Sequence, residues 1–278
     1  DYLASVLGVS RARRRVLAPA LGALVVVPTC CWAGHPEDLL SLTLSCIALA
    51  WVLQARHLRA ALVLSVAIMM QPWALLLIPL LVVCAPSHLR VRSVVYSSTL
   101  PAVTGLTLLA IDFKDASRSL ILQPMEGVGQ HLPWWAFSHP LVGQFAGATG
   151  PLRVGSGPRA FAVLAAVVAA WTIRNNVRPV TILTAASVVL AARGIFETQV
   201  WCYYLAPAAV FMALLASTQL NTRRWIVGTL LAFVFYAYAA ASYNSFSMPP
   251  LVALAIMLAC LAGCMGAVHW RQPAGWLL

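Results

Sequence analysis

The sequence predicts an all-α polytopic transmembrane helix bundle, a single domain over residues 1–278. Three observations carry this reading. Of the 278 residues, 62% are hydrophobic and only 9% are charged, whereas an ordinary soluble domain carries about 25% charged residues. Mean hydropathy is +0.86. About ten apolar runs, at 16–33, 39–53, 60–70, 72–85, 94–111, 160–173, 179–192, 200–218, 225–241 and 249–268, alternate with short polar stretches that hold the charges. The net charge of +11 does not point to nucleic acid, because the charges lie in loops and build no basic face on a folded domain.

The elements follow in chain order. Residues 2–9, YLASVLGV, are mildly amphipathic and lead into SRARRR, which predicts a cytoplasmic surface helix and basic stop over residues 1–15. A straight span needs about 20 residues and at least roughly 17, so the shorter runs are expected to tilt or to thin the bilayer. Residues 60–85, AALVLSVAIMMQPWALLLIPLLVVCA, read either as one helix kinked at Pro72 or as two short helices broken at Gln71-Pro72. The second reading sorts the charges better and is preferred. Eleven residues of helix rise only about 16 Å, so Gln71 is then expected at membrane depth. Backbone broken there must line protein or a wet cavity. Residues 112–158 are expected to form one long extracytoplasmic loop.

Crossing at every run, with Arg11 to Arg15 inside, puts 13 of the 18 basic residues on the cytoplasmic face. Arg56, Arg59, Arg90, Arg92, Arg174, Arg178, Arg223, Arg224 and Arg271 all join them. Six of the seven acidic residues fall outside, leaving only Asp1 within. This is the Lys/Arg asymmetry of a membrane protein, and it places both termini in the cytoplasm. The seven cysteines lie in or beside apolar runs, without a C-x-x-C, and read as packing residues. The chain starts at Asp1 with no cleavable signal peptide, and is expected to be a fragment that lacks an N-terminal part.

The polar functional groups gather on the outer side. The first cluster is Gly34-His35-Pro36-Glu37-Asp38. It reads as a capped helix start, since Pro36 and two acids suit a first turn. It equally reads as a reactive rim, because one cap does not require two carboxylates and an imidazole. The second is the 112–158 loop. There Lys114, Arg118, His131 and His139 could hold an anion, while Trp134 and Trp135 either stack on a sugar or anchor at the interface. The third is ARGIFETQVWCYYLAP, residues 192–207. Arg193 and Glu197 are four apart and read as a helical ion pair, and Tyr203 and Tyr204 suit an interfacial belt. Ionisable groups at a membrane boundary are nevertheless functional candidates. His131 and His139 match no zinc spacing, so no metal is expected from them, and no cofactor is certain. There is no G-x-G-x-x-G and no P-loop.

GHPEDLLSLTLSCIALAW, LRAALVLSVAIMMQPWALLLIPLLVV, QHLPWWAF and FETQVWCYYLAPA occur in that order. Together they resemble the GT-C superfamily of membrane glycosyltransferases, in particular the bacterial family 87 of polyprenyl-phosphate-mannose-dependent mannosyltransferases. Members often carry Lys-Pro where this chain has Gln71-Pro72. The resemblance implies a multi-helix bundle of the bacterial plasma membrane with an extracytoplasmic cavity. It implies a polyprenyl-phosphate sugar as donor and a glycolipid or glycan hydroxyl as acceptor. The family's catalytic carboxylate usually lies in the first outer loop, which here is the Gly34–Asp38 segment or a part missing upstream.

On this reading Asp38, then Glu37, is the expected base. Arg193 with His131 or Lys114 is expected to hold the leaving phosphate. His35, Gln71, Trp134, Trp135, Glu197, Tyr203 and Tyr204 are expected to line the substrate cavity. A transporter or flippase of lipid-linked sugars is the competing class, and an inactive truncated scaffold is a third.

Overall fold

A computed structural model describes residues 1–32, 34–117, 157–197, 202–244 and 250–269. Among them the chain is helical nearly throughout, with no strand. The helices are α1 (Tyr2–Val6), α2 (Arg11–Leu21), α3 (Pro36–Leu53), α4 (His57–Met70), α5 (Ile78–Cys84), α6 (Ser87–Ile111), α7 (Phe113–Ser117), α8 (Gly157–Ile173), α9 (Pro179–Phe196), α10 (Ala206–Ser217), α11 (Thr222–Asn244) and α12 (Pro250–His269). Two single-turn π stretches, Gly22–Val26 and Pro28–Trp32, prolong α2, and 3-10 turns precede α5 and α10.

Among the described residues, four helical stretches are long and apolar enough to cross a membrane: Arg11–Cys31, Pro36–Leu53, Ser87–Ile111 and Pro179–Phe196. Shorter apolar helices accompany them, including His57–Met70, Pro72–Cys84 and Arg159–Ile173. The chain is thus an all-α membrane protein, and among the described residues four of the ten expected spans reach full length. Most of the expected 112–158 loop lies outside the described residues; its beginning forms the short helix α7.

The break inside 60–85 is where the sequence places it. Gln71 is extended (φ −150°, ψ 124°) and a 3-10 turn starts at Pro72. Proline lacks the N–H that an unbroken helix would use and crowds the preceding turn.

Packing follows side-chain size. α3 and α4 form an antiparallel hairpin, closed where the Ser41 hydroxyl donates to the Ala67 carbonyl at 2.9 Å. The buried faces are rich in small residues, Ser41, Ser45 and Ala48 on α3 and Ala60, Ala61, Ser65 and Ala67 on α4. Small side chains let helices approach closely where lipid supplies no hydrophobic drive. α6 keeps only Ser93 and Ser97 buried and turns Val91, Val103, Leu106 and Ile111 outward, as suits a peripheral helix in contact with lipid. Every residue of α10 is buried, which makes it the central post of the second half of the bundle.

The two ends of the bundle differ. At one end Arg13 donates to the carbonyls of Ser217, Gln219 and Leu220 and stacks on Trp225 at 5.1 Å. It thereby satisfies orphan carbonyls after α10. The α1 residue Tyr2 reaches Gln54 at the end of α3 (3.1 Å), so the expected surface helix tucks against the same end. The opposite end holds the starts of α3 and α8, the Gln71 break and the end of α9, and opens into a cavity.

Candidate functional site

The cavity encloses about 600 Å³. Its wall is built from segments remote in sequence: His35, the Gln71–Trp73 break, Arg159, Arg193, Glu197, Tyr203 and Tyr204. Leu75, Leu76, Ala162, Val163 and Phe196 supply an apolar flank.

Local backbone chemistry sets each group. Gly34 sits at φ +71°, a left-handed conformation that a side chain would strain. That turn lets the His35 N–H meet the Thr29 carbonyl at 3.1 Å, and Pro36 then opens α3 as its first residue. His35 Nδ1 lies 2.6 Å from Glu37 Oε1. A carboxylate accepts only, so the ring donates through Nδ1, and in the neutral imidazole Nε2 is then the acceptor nitrogen. The Tyr203 ring covers the imidazole, with centroids 4.0 Å apart.

Asp38 has a different partner. It is 2% exposed and stands behind Trp73, whose indole Nε1 donates to Oδ1 at 3.0 Å; Oδ2 has no hydrogen-bond partner among the described residues. The two carboxylates that open α3 therefore each hold a different ring of the cavity wall. Neither carboxylate is itself part of that wall.

On the same wall, Arg193 lies 4.2 Å from the Tyr204 ring and 5.9 Å from the Trp73 ring, with its guanidinium donating to the Tyr204 carbonyl at 3.4 Å. Flanking aromatic faces favour a cation and hold the fork in place. Arg193 and Glu197 do not form the ion pair their spacing suggests. α9 ends at Phe196, Glu197 turns extended (φ −83°, ψ 147°), and among the described residues its ion pair is to Arg159 Nε at 2.8 Å.

Six residues expected at the cavity converge there: His35, Gln71, Arg193, Glu197, Tyr203 and Tyr204. Lys114 does not line it; it is exposed on α7. His131, Trp134 and Trp135 lie outside the described residues. Two wall residues went unremarked in the sequence, Trp73 and Arg159. The proline break beside Trp73 was the available signal, and Arg159 stands among the few basic residues that charge sorting leaves on the acidic side.

His35, Glu37 and Asp38 bring ligand-type atoms within 4.8 Å of one another, a set able to hold a divalent cation if the His35–Glu37 hydrogen bond gave way. Chemically, the cavity wall combines one imidazole, backed by the Glu37 carboxylate, with two guanidinium groups and several aromatic rings. Compared with protein families, with curated proteins and with solved structures, the chain gives no match.

Proposed function

We propose that this chain is a membrane glycosyltransferase that moves a sugar, mannose by its family resemblance, from a polyprenyl phosphate to a hydroxyl acceptor. The reaction takes place on the extracytoplasmic side. The observation that supports this reading is that Arg159 and Arg193 line the same cavity as His35. Guanidinium forks suit a phosphate oxygen on which charge develops, and a basic group in the same cavity suits an acceptor hydroxyl.

The acceptor oxygen attacks the anomeric carbon, and a glycosidic C–O bond forms as the bond from that carbon to the phosphate oxygen breaks. The electron pair leaves with the polyprenyl phosphate, where Arg193 and Arg159 stabilise it. The hydroxyl proton passes to a base in the Gly34–Asp38 segment. Tyr204, partly exposed on the cavity wall, offers an aromatic surface to a sugar ring. Leu75 and Val163 line the cavity and are also exposed on the bundle surface, which suits a donor whose tail stays in hydrocarbon.

The test is direct. Purified protein in proteoliposomes receives a radiolabelled polyprenyl-phosphate mannose and a mannoside-bearing lipid. A new labelled glycoside is expected. Label that changes leaflet without a new glycoside would assign a flippase instead, and neither event would leave the chain without this function.

A further inference from the structure

Resting on the transferase reading, we infer that His35 is the group that takes the acceptor proton, and that Glu37 and Asp38 are positioning residues. Three features carry this. His35 lines the cavity, while the two carboxylates do not. Glu37 accepts the Nδ1 proton at 2.6 Å, which fixes the tautomer and leaves Nε2 as the basic atom. Asp38 is committed to the Trp73 indole at 3.0 Å and shielded behind it. A buried carboxylate already accepting an indole N–H is poorly placed to meet an acceptor that enters from outside.

The imidazole is held on two sides. The hydrogen bond to Glu37 stops rotation in the ring plane, and the Tyr203 ring at 4.0 Å covers one face. Positioning of this kind raises the fraction of encounters in reactive geometry. During transfer the acceptor O–H proton moves to Nε2 while the glycosidic bond forms, and the resulting imidazolium is neutralised in place by Glu37. Proton loss to bulk water then resets the ring. The other charged or titratable groups facing this centre are Asp38 on α3, Arg193 at the end of α9, Tyr203 and Tyr204 on the following turn, and the Arg159–Glu197 pair on the cavity wall.

The experiment measures transfer in proteoliposomes for wild type, His35→Gln, Glu37→Gln and Asp38→Asn, with kcat and the donor KM determined separately. His35→Gln is expected to lower kcat by about 10²- to 10⁴-fold and to change KM for the donor by less than about threefold. Glu37→Gln is expected to lower kcat less, with the donor KM again nearly unchanged. Asp38→Asn, which retains an acceptor oxygen for Trp73, is expected to lower kcat less than His35→Gln does.

To separate chemistry from folding, His35→Gly is assayed with added imidazole, which is expected to recover part of the lost rate. Wild-type rate in His35→Gln, or abolition of transfer in Asp38→Asn with a normal elution profile, overturns the assignment. So does wild-type activity that EDTA removes and a divalent cation restores, because His35, Glu37 and Asp38 would then be ligands. A wild type that makes no glycoside overturns the transferase reading, and this assignment with it.

Discussion

Arg159 Nε and Glu197 Oε1 meet at 2.8 Å across 38 residues of sequence, tying the start of α8 to the end of α9 at the cavity wall. The carboxylate is buried, with its side chain 6% exposed, while the guanidinium is about half exposed. An ion pair half open to solvent contributes modestly, since screening offsets much of its attraction. The buried partner still loses a donor when the arginine is removed. A double-mutant cycle with Arg159→Met and Glu197→Gln, read by thermal unfolding in detergent, is expected to give a coupling of about 0.5–2 kcal/mol. Additive single effects would show that the pair does not hold these helices together.

Asp38 and Trp73 make a second prediction. Asp38→Ala leaves the buried indole N–H without its acceptor and is expected to destabilise the protein by about 1–3 kcal/mol. Asp38→Asn keeps an oxygen at the same place and is expected to cost less than half of that. Trp73→Phe removes donor and demand together, so adding Asp38→Ala to it should cost little more. Denaturation midpoints of the four proteins, monitored by circular dichroism, check the order.

Much of this was legible in the sequence, and the parts that were not share a cause. The all-helical class and the break at Gln71-Pro72 follow from composition and from proline chemistry, both local. Convergence of His35, Gln71, Arg193 and Tyr204 on one cavity follows from alternating the helices, because each lies at the same end of its own helix. Pairings between side chains escaped. The i,i+4 rule links Arg193 to Glu197 only if the helix continues, and it ends one residue too early. Asp38 looked free because nothing in its own segment shows that Trp73, 35 residues on, supplies a donor. Periodicity reports which end and which face a residue occupies; it does not report which partner arrives there from another helix.

Gly194 tests close packing at the cavity's base. A Cβ built there falls 2.1 Å from Leu205 Cδ2 and 3.1 Å from its Cγ, and Leu205 is 1% exposed, so it has little room to retreat. Gly194→Ala is expected to lower stability by about 1–3 kcal/mol through overpacking, and to shift Arg193 one residue away on the same turn. The combination with Leu205→Ala is expected to recover part of the loss, because the clashing methyls are then absent. A double variant no more stable than Gly194→Ala alone would mean that the glycine serves the backbone rather than the contact. Unfolding midpoints of the three variants decide it.

The polarity of the bundle yields the last prediction. Arg13, Gln219 and Trp225 stand at one end, while His35, Arg159 and Arg193 stand at the other. Leu220 is 78% exposed beside the first group, and Lys114 is exposed beyond the far end of α6. In a background with all seven cysteines replaced by alanine or serine, Leu220→Cys and Lys114→Cys report on the two ends separately. In intact cells a membrane-impermeant maleimide is expected to label the cysteine at 114 and to leave the one at 220 untouched. Inverted vesicles should reverse the pattern. The reasoning is electrostatic: basic residues are retained on the cytoplasmic face during insertion, and the arginine-rich connections lie at the Arg13 end. Labelling of both positions from one side would mean that α6 does not span. The charge asymmetry would then describe a bundle lying otherwise in the bilayer, and the cavity would not face the extracytoplasmic acceptor that a transferase needs.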